Sequence, residues 1–346
     1  SVTLRALTRR RLDTPTSNRT RLMLITEDKY AFAILRRTIF FSLSAIILQI
    51  DPKDKHLSKY QKKFLTLHPL DNTLIKQKMD ERILFVNSEI FPYLPETHMS
   101  HIGRYLPQGI QERKKEIRSF MPRFGGINER KNQLHEVIRL SGMNIVINDV
   151  DRPLVIKVAS ISAARIQVYF IDNEDYFKRK QIDRDNDGKF FDDNAERAIF
   201  FARGVLETVK KLRWAPDVIH CQGWITQILP LYLKKAYKDD PIFENSKIVL
   251  SLYDDMPEKF NEDMMKLVPF GDVTEKDIPL LADPTGINLA KTAAQYSDGI
   301  IIGSENIDAG LTEFCEGLPV PMLKYDAKSF EDGSYVDAYN SFYDSL

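Results

Sequence analysis

Cysteine is nearly absent from this sequence: Cys221 and Cys315 are the only two in 346 residues. So sparse a supply excludes a disulfide-stapled fold and fits a reducing, cytoplasmic setting. Histidine is scarce as well, six in all, and no Cys/His cluster has the spacing of a zinc site, so no metal is expected. Net charge is missing too: 49 Lys/Arg stand against 49 Asp/Glu, so overall electrostatics points to neither nucleic acid nor a membrane surface. Neither Gly-rich phosphate fingerprint occurs, which speaks against a P-loop or dinucleotide enzyme and leaves no organic cofactor to expect. Glycine is wholly lacking from Ser1 to Lys78, although the chain holds 15.

That glycine-free stretch differs from the rest in charge as well. It carries 16 Lys/Arg against 6 Asp/Glu, and the remainder carries the opposite net charge. Its apolar run TIFFSLSAIILQI, Thr38 to Ile50, falls short of the roughly 18 residues a membrane span needs. A secretory signal would need a short basic start and a small-residue cleavage site, and neither is present. A transit peptide fits the Arg-rich beginning but leaves the apolar run unexplained. The expectation is therefore that residues 1–78 are a basic extension, disordered or foreign to the functional protein, and that MDERILFVNSE from Met79 opens the domain proper.

After Met79 short β-branched runs alternate with longer helical stretches. The runs are Ile83–Asn87, Leu154–Val158, Ile166–Phe170, Asp217–Cys221, Lys247–Leu252 and Gly299–Ile302. Continuous apolar strands are buried on both faces, which predicts a doubly wound α/β domain with a mostly parallel sheet. Asp193-Asn194-Ala195-Glu196 has the spacing of a capping box. Behind it Ala198, Phe201, Val205, Val209 and Leu212 recur at helical spacing and predict one stripe packed on the sheet. Val336, Tyr339, Phe342 and Tyr343 likewise share one helical face in the tail. The acidic loop DRDNDGKFFDDN matches the start of a calcium loop at Asp183, Asp185, Asp187 and Gly188, but its last ligand position holds Asn194 instead of Glu; a solvated acidic loop is the simpler reading.

Three stretches, in order, carry a resemblance: ILFVNSEIFPY on the first strand, DDNAERAIFFAR on the capped helix, and WAPDVIHCQGWITQILPLYLK from Trp214 to Lys234. EIRSFMPRFG, VYFIDNEDYFKR and GINLAKTAAQYSDGIIIGS support them, so the similarity runs from about Ile83 to Ser304. The chain resembles the N-terminal half of bacterial glycogen and starch synthases, the ADP-glucose-dependent glycosyltransferases of family 5. The resemblance implies a single Rossmann-like half of a GT-B architecture, with donor phosphates held mainly by a C-terminal domain. Three segments are expected: the extension 1–78, the synthase-like α/β domain 79–308, and a helical tail 309–346 packing on that domain or docking a second subunit.

The family's first turn carries Lys-x-Gly-Gly-Leu, where the Lys and the glycine N–H groups serve the donor. Here the Lys position is Pro95 and the glycines are Thr97 and His98. Pro95 has neither charge nor N–H, and the Cβ atoms of the other two hinder close approach. The His-x-His-Asp-Trp-His run reads His220-Cys221-Gln222-Gly223-Trp224-Ile225, with Gln222 for the His that contacts the transferred glucose. Thr-Ile-His-Asn becomes Ser251-Leu252-Tyr253-Asp254. The substrate-binding candidates are Glu89, Thr97, His98, Asp193, Asn194, Arg197, His220, Gln222 and Tyr253. Asp193, Asn194 and Arg197 match the family motif but would serve equally as a helix cap and salt bridge. His220 is expected at a strand end beside a cleft, or as a simple hydrogen-bonded histidine there. His98 and the nearby His101 could reach a polar ligand, or lie on the surface without a role. The implied function is α-1,4-glucan synthesis, with glycogen-type glucan and ADP-glucose as ligands. Either a partner chain supplies the donor half, or glucan binding is kept without transfer. A non-catalytic regulatory subunit on the same scaffold is the alternative.

Overall fold

Strand β1 (Arg82–Asn87) is the hub from which the sheet grows in both directions. The structure, a computed structural model, describes residues 81–346; the basic extension and its apolar run lie outside the described residues. The remaining strands are β2 (Glu116–Pro122), β3 (His135–Glu136), β4 (Met143–Ile147), β5 (Val150–Ile161) and β6 (Ile166–Asp172). They are followed by β7 (Val218–Gln222), β8 (Lys247–Leu252), β9 (Gly299–Ile302) and β10 (Met322–Leu323). The sheet order is β10-β9-β8-β7-β1-β2-β6-β5-β3, with β4 paired to β5. From β10 through β6 all pairings are parallel, as the buried apolar runs predict.

The antiparallel end departs from the expected run Leu154–Val158. That run is the middle of a 12-residue strand, β5, which turns back on β6 and forms a hairpin with β4. Its alternation explains the difference: Leu154 and Ile156 are buried, whereas Asp151 and Pro153 on the other face are exposed, the pattern of a strand covered on one side only. Asn148 and Asp149, both at positive φ, make the two-residue hairpin turn.

Helices cover both faces of the parallel part. On one face lie α2 (Asn194–Leu212), α3 (Leu229–Lys235) and α4 (Gly286–Gln295), packed against Leu84, Val86, Ile219 and Leu250. The expected α2 stripe is present, with Ala198, Phe201, Val205 and Val209 buried. The other face carries Ile83, Phe85, Val218, Val249 and Ile301 and is covered by α1 (His98–Glu112). Met99, Ile102, Leu106 and Ile110 form the apolar stripe of α1, three to four residues apart.

The tail completes that second face. After the short helix α5 (Ala327–Asp332), Gly333 at φ 81° turns the chain into α6 (Tyr335–Asp344). Tyr335, Val336, Tyr339 and Tyr343 are buried, while Phe342 is only half-buried. A Cβ on Gly109 would fall 2.5 Å from Val336 Cγ1, so the small residue lets α6 lie against α1. Arg113 pairs with Asp337, and Lys115 with Asp344 and Glu81. At the centre the Tyr343 hydroxyl lies 2.8 Å from His220 Nδ1, and Ser251 Oγ lies 2.6 Å from Nε2. Tyr343→Phe removes one of these partners and leaves a fully buried ring nitrogen unsatisfied. The expected loss is about 1–3 kcal/mol in urea unfolding; an unchanged midpoint would show that the tail is not held through His220.

Candidate functional site

The strand order reverses between β1 and β7, since β1 continues to β2 on one side and β7 to β8 on the other. In an open α/β sheet, ligands bind outside the carboxyl ends of the strands at such a point. Asn87 and Gln222 are register partners at those ends, and Ser88 N donates to Gln222 O at 2.9 Å. Both amide side chains are 0% exposed, yet neither atom of the Asn87 amide nor Gln222 Oε1 has a hydrogen-bond partner within the protein. Gln222 Nε2 donates to the buried Tyr253 hydroxyl at 2.9 Å. Ser88 Oγ and Asp255 Oδ1 are also buried and unpartnered. Buried polar atoms are nearly always paired, so this concentration at one place marks a site.

The wall is acidic. Asp255 Oδ2 accepts from Trp224 N at 2.8 Å, and burial, with Glu89 as a like-charged neighbour, lifts its carboxyl to about 7. Glu89 is raised as well, mainly by burial, although Thr97 Oγ1 donates to it at 2.7 Å. Gly223, at φ 85°, is required here, because a Cβ would sit 2.2 Å from Ser88 Oγ.

The turn into α1 has closed on itself. Thr97 Oγ1 accepts from Ser100 N at 3.0 Å, and Ser100 Oγ accepts from Thr97 N at 2.8 Å, a reciprocal capping box. Two of the backbone donors that could face a ligand anion, Thr97 N and Ser100 N, are thus consumed, and the Glu89 carboxylate stands beside them. Gly103 brings α1 onto this turn: a Cβ there would lie 2.4 Å from the Glu89 carbonyl oxygen. His98 and His101 are both exposed. His98 Nε2 lies 2.9 Å from Gly303 O, with Phe330 edge-on at 4.8 Å, whereas His101 pairs with Glu96.

One expectation changes at the other candidates, and for His220 one of two alternatives is decided. The capping box at Asp193 does not form: Glu262 accepts from Ala195 N at 3.2 Å and Glu196 N at 3.0 Å, freeing Asp193 to pair with Arg179. Glu196 turns to the Tyr176 hydroxyl instead of back to the cap. A carboxylate 66 residues away thus outcompetes the local one. His220, two residues before the end of β7, takes the second of its two expected forms, a hydrogen-bonded histidine facing no cleft; α6 seals it, and burial lowers its imidazole to about 3, so it stays neutral. Asn194 and Arg197 are brought together but fully buried. Asn194 Nδ2 donates to Asp183 O at 2.8 Å, and Arg197 Nε to Tyr176 O at 2.9 Å. The Arg197 guanidinium lies among the rings of Phe124, Phe177 and Phe191, and burial lowers it to about 10. Glu89, Thr97, Gln222 and Tyr253 therefore converge at the switch point, with His98 on the rim.

The starch synthase catalytic domain family matches residues 82–318, well over half of the chain. The chain belongs to the glycogen/starch synthase family. A glycogen synthase of Chlorobium limicola is 34% identical over 224 residues, which cover 63% of this chain and 44% of that protein. One from Pelodictyon phaeoclathratiforme is 28% identical over 275 residues, covering 77% of this chain and 55% of the relative. The chain thus spans about half the length of the relatives it matches. The catalytic domain of starch synthase IV from Arabidopsis thaliana, bound to ADP and acarbose, shares the fold with a TM-score of 0.55. That likeness covers 72% of this chain and 52% of the plant chain at 14% identity. No helix among the described residues is long and apolar enough to cross a membrane.

Against the family pattern, the residues that sequence reasoning missed are Asn87, Asp255 and Glu262. Asn87 and Asp255 end or follow apolar strands, the position where a polar residue at a switch point deserves notice. Glu262 gave no local signal. Asp255 generates a pH signature. A carboxyl raised from 3.8 to about 7 on folding is protonated in both states at low pH. As pH rises from the unfolded value through the folded one, the unfolded chain loses the proton first and stability falls. Asp255→Asn cannot ionise, so it is expected to melt several degrees above the parent at about pH 8, with the gap closing at about pH 4. A gap independent of pH would contradict this assignment.

Proposed function

We propose that this domain serves α-1,4-glucan metabolism by holding the glucan, and that it does not itself grip the diphosphate of a nucleotide sugar. One observation carries the reading: the switch point holds buried, unpartnered amide atoms of Asn87 and Gln222 and the Ser88 hydroxyl beside two carboxylates, while the adjoining helix N-terminus is capped by its own side chains. A diphosphate needs cations or free N–H groups at that end. A sugar hydroxyl both donates and accepts, and so suits Asn87, Gln222, Ser88 and a carboxylate acceptor such as Asp255.

Family membership supports the substrate class, and the plant starch synthase of the same fold is a structure bound to ADP and acarbose. Glucosyl transfer from ADP-glucose would call on the donor-holding half of the GT-B fold, from whichever polypeptide carries it, because the first turn here supplies no cation to a leaving diphosphate. A location in the cytoplasm accords with the two unpaired cysteines, both buried.

In a native gel containing glycogen the chain is expected to be retarded relative to a gel without it. The same preparation, given ADP-glucose and glycogen, is expected to incorporate no glucose. Unaltered mobility would reject the glucan reading and favour a regulatory subunit; incorporation would reject the claim about the diphosphate.

A further inference from the structure

We propose that the groove between α1 and the α5–α6 tail is a second carbohydrate surface, which carries an α-glucan chain away from the switch point along the outside of α1. The inference rests on the glucan reading above but concerns different residues. Two hollows of about 400 and 510 Å³ adjoin, sharing His101, Phe330 and Tyr335. The first begins at Thr97 and His98, on the rim of the switch point; the second ends at Glu112 and Arg113. The 15 residues of α1, rising about 1.5 Å each, extend this path over roughly 20 Å.

The groove's chemistry selects the ligand. Tyr105 is among the few large hydrophobic residues on the surface, 39% exposed, and its ring is steadied by His101 at 4.3 Å and the Arg104 guanidinium at 5.0 Å. Beside it Gln108 accepts from Arg104 at 2.8 Å and donates to Glu112 at 2.9 Å, which fixes a planar amide and a carboxylate next to the ring. Across the groove Phe330 stacks with Tyr325 and Tyr335, flanked by the exposed Glu331 and Asp332. Arg113 is committed to Asp337 and the Gly109 carbonyl, so the groove presents acceptors and rings without a free cation from that residue. An anionic ligand is disfavoured by these carboxylates. A pyranose chain, with apolar faces for the rings and hydroxyls for the acceptors, fits both features.

The test uses the full chain with glycogen in the native gel and maltoheptaose in a calorimetric titration. Tyr105 is exposed and its ring contacts are to the surface side chain of His101 and to Arg104, so Tyr105→Ala should fold and melt close to the parent. It is expected to weaken binding roughly fivefold to tenfold, the equivalent of one lost ring contact. Tyr105→Trp, which keeps a broader ring, should bind at least as tightly as the parent. If the parent binds and both variants bind identically to it, the groove is overturned while the glucan reading stands. If the parent itself binds neither probe, the glucan reading fails and takes the groove with it. Binding of a lysine-rich peptide that Tyr105→Ala abolishes, with glucan binding unaffected, would assign the groove to a protein partner and overturn the proposal.

Discussion

The reciprocal hydrogen bonds between Thr97 and Ser100 hold the start of α1 closed, and much of the structure follows from that closure. They fix where the helix begins, and Gly103 then lets its first turns press onto the carbonyl of Glu89. With α1 so placed, its apolar stripe covers Ile83 and Phe85, and its far end meets Val336 and Asp337 of the tail. The same bonds take up two of the N–H groups at the helix terminus that would otherwise attract an anion. One local arrangement thus sets both the packing of a sheet face and the kind of ligand the strand ends can take.

Electrostatics at the switch point runs in the same direction. Glu89 and Asp255 are both raised, each mainly by burial and further by a neighbouring carboxylate, Asp183 for Glu89 and Glu89 for Asp255, so each added negative group there is costly. Arg197, the large buried cation on this side of the sheet, is enclosed by aromatic rings and by acceptors of the scaffold. Unpaired amide and hydroxyl atoms are the remaining means of recognition, and their natural complement is an uncharged polyol. The family's framework is retained, and under the proposed function the recognition it offers shifts from phosphate towards sugar.

Much of the scaffold was legible in the sequence because it rests on burial, which leaves a local pattern. Lys247–Leu252 and Gly299–Ile302 are strands with the bounds that their apolar runs predict, and the α2 stripe lies where its period puts it. What escaped depends on contacts distant in sequence. Asp193 had the spacing of a cap, yet Glu262 took those N–H groups from the far side of β7 and β8. For His220 the sequence left a cleft residue and a hydrogen-bonded histidine both open, and Tyr343, 123 residues later, decides for the second. The altered turn at Pro95–His98 was legible as a loss of glycine; that Thr97 would make a capping box of it depended on Ser100 and could be seen only in three dimensions.

The central claim is that the strand ends recognise sugar and do not recognise diphosphate. Titration of the full chain with ADP and, separately, with maltoheptaose addresses it most directly. The account predicts saturable heat with maltoheptaose and none with ADP. Saturable binding of ADP to this chain alone, unaffected by maltoheptaose, would contradict it.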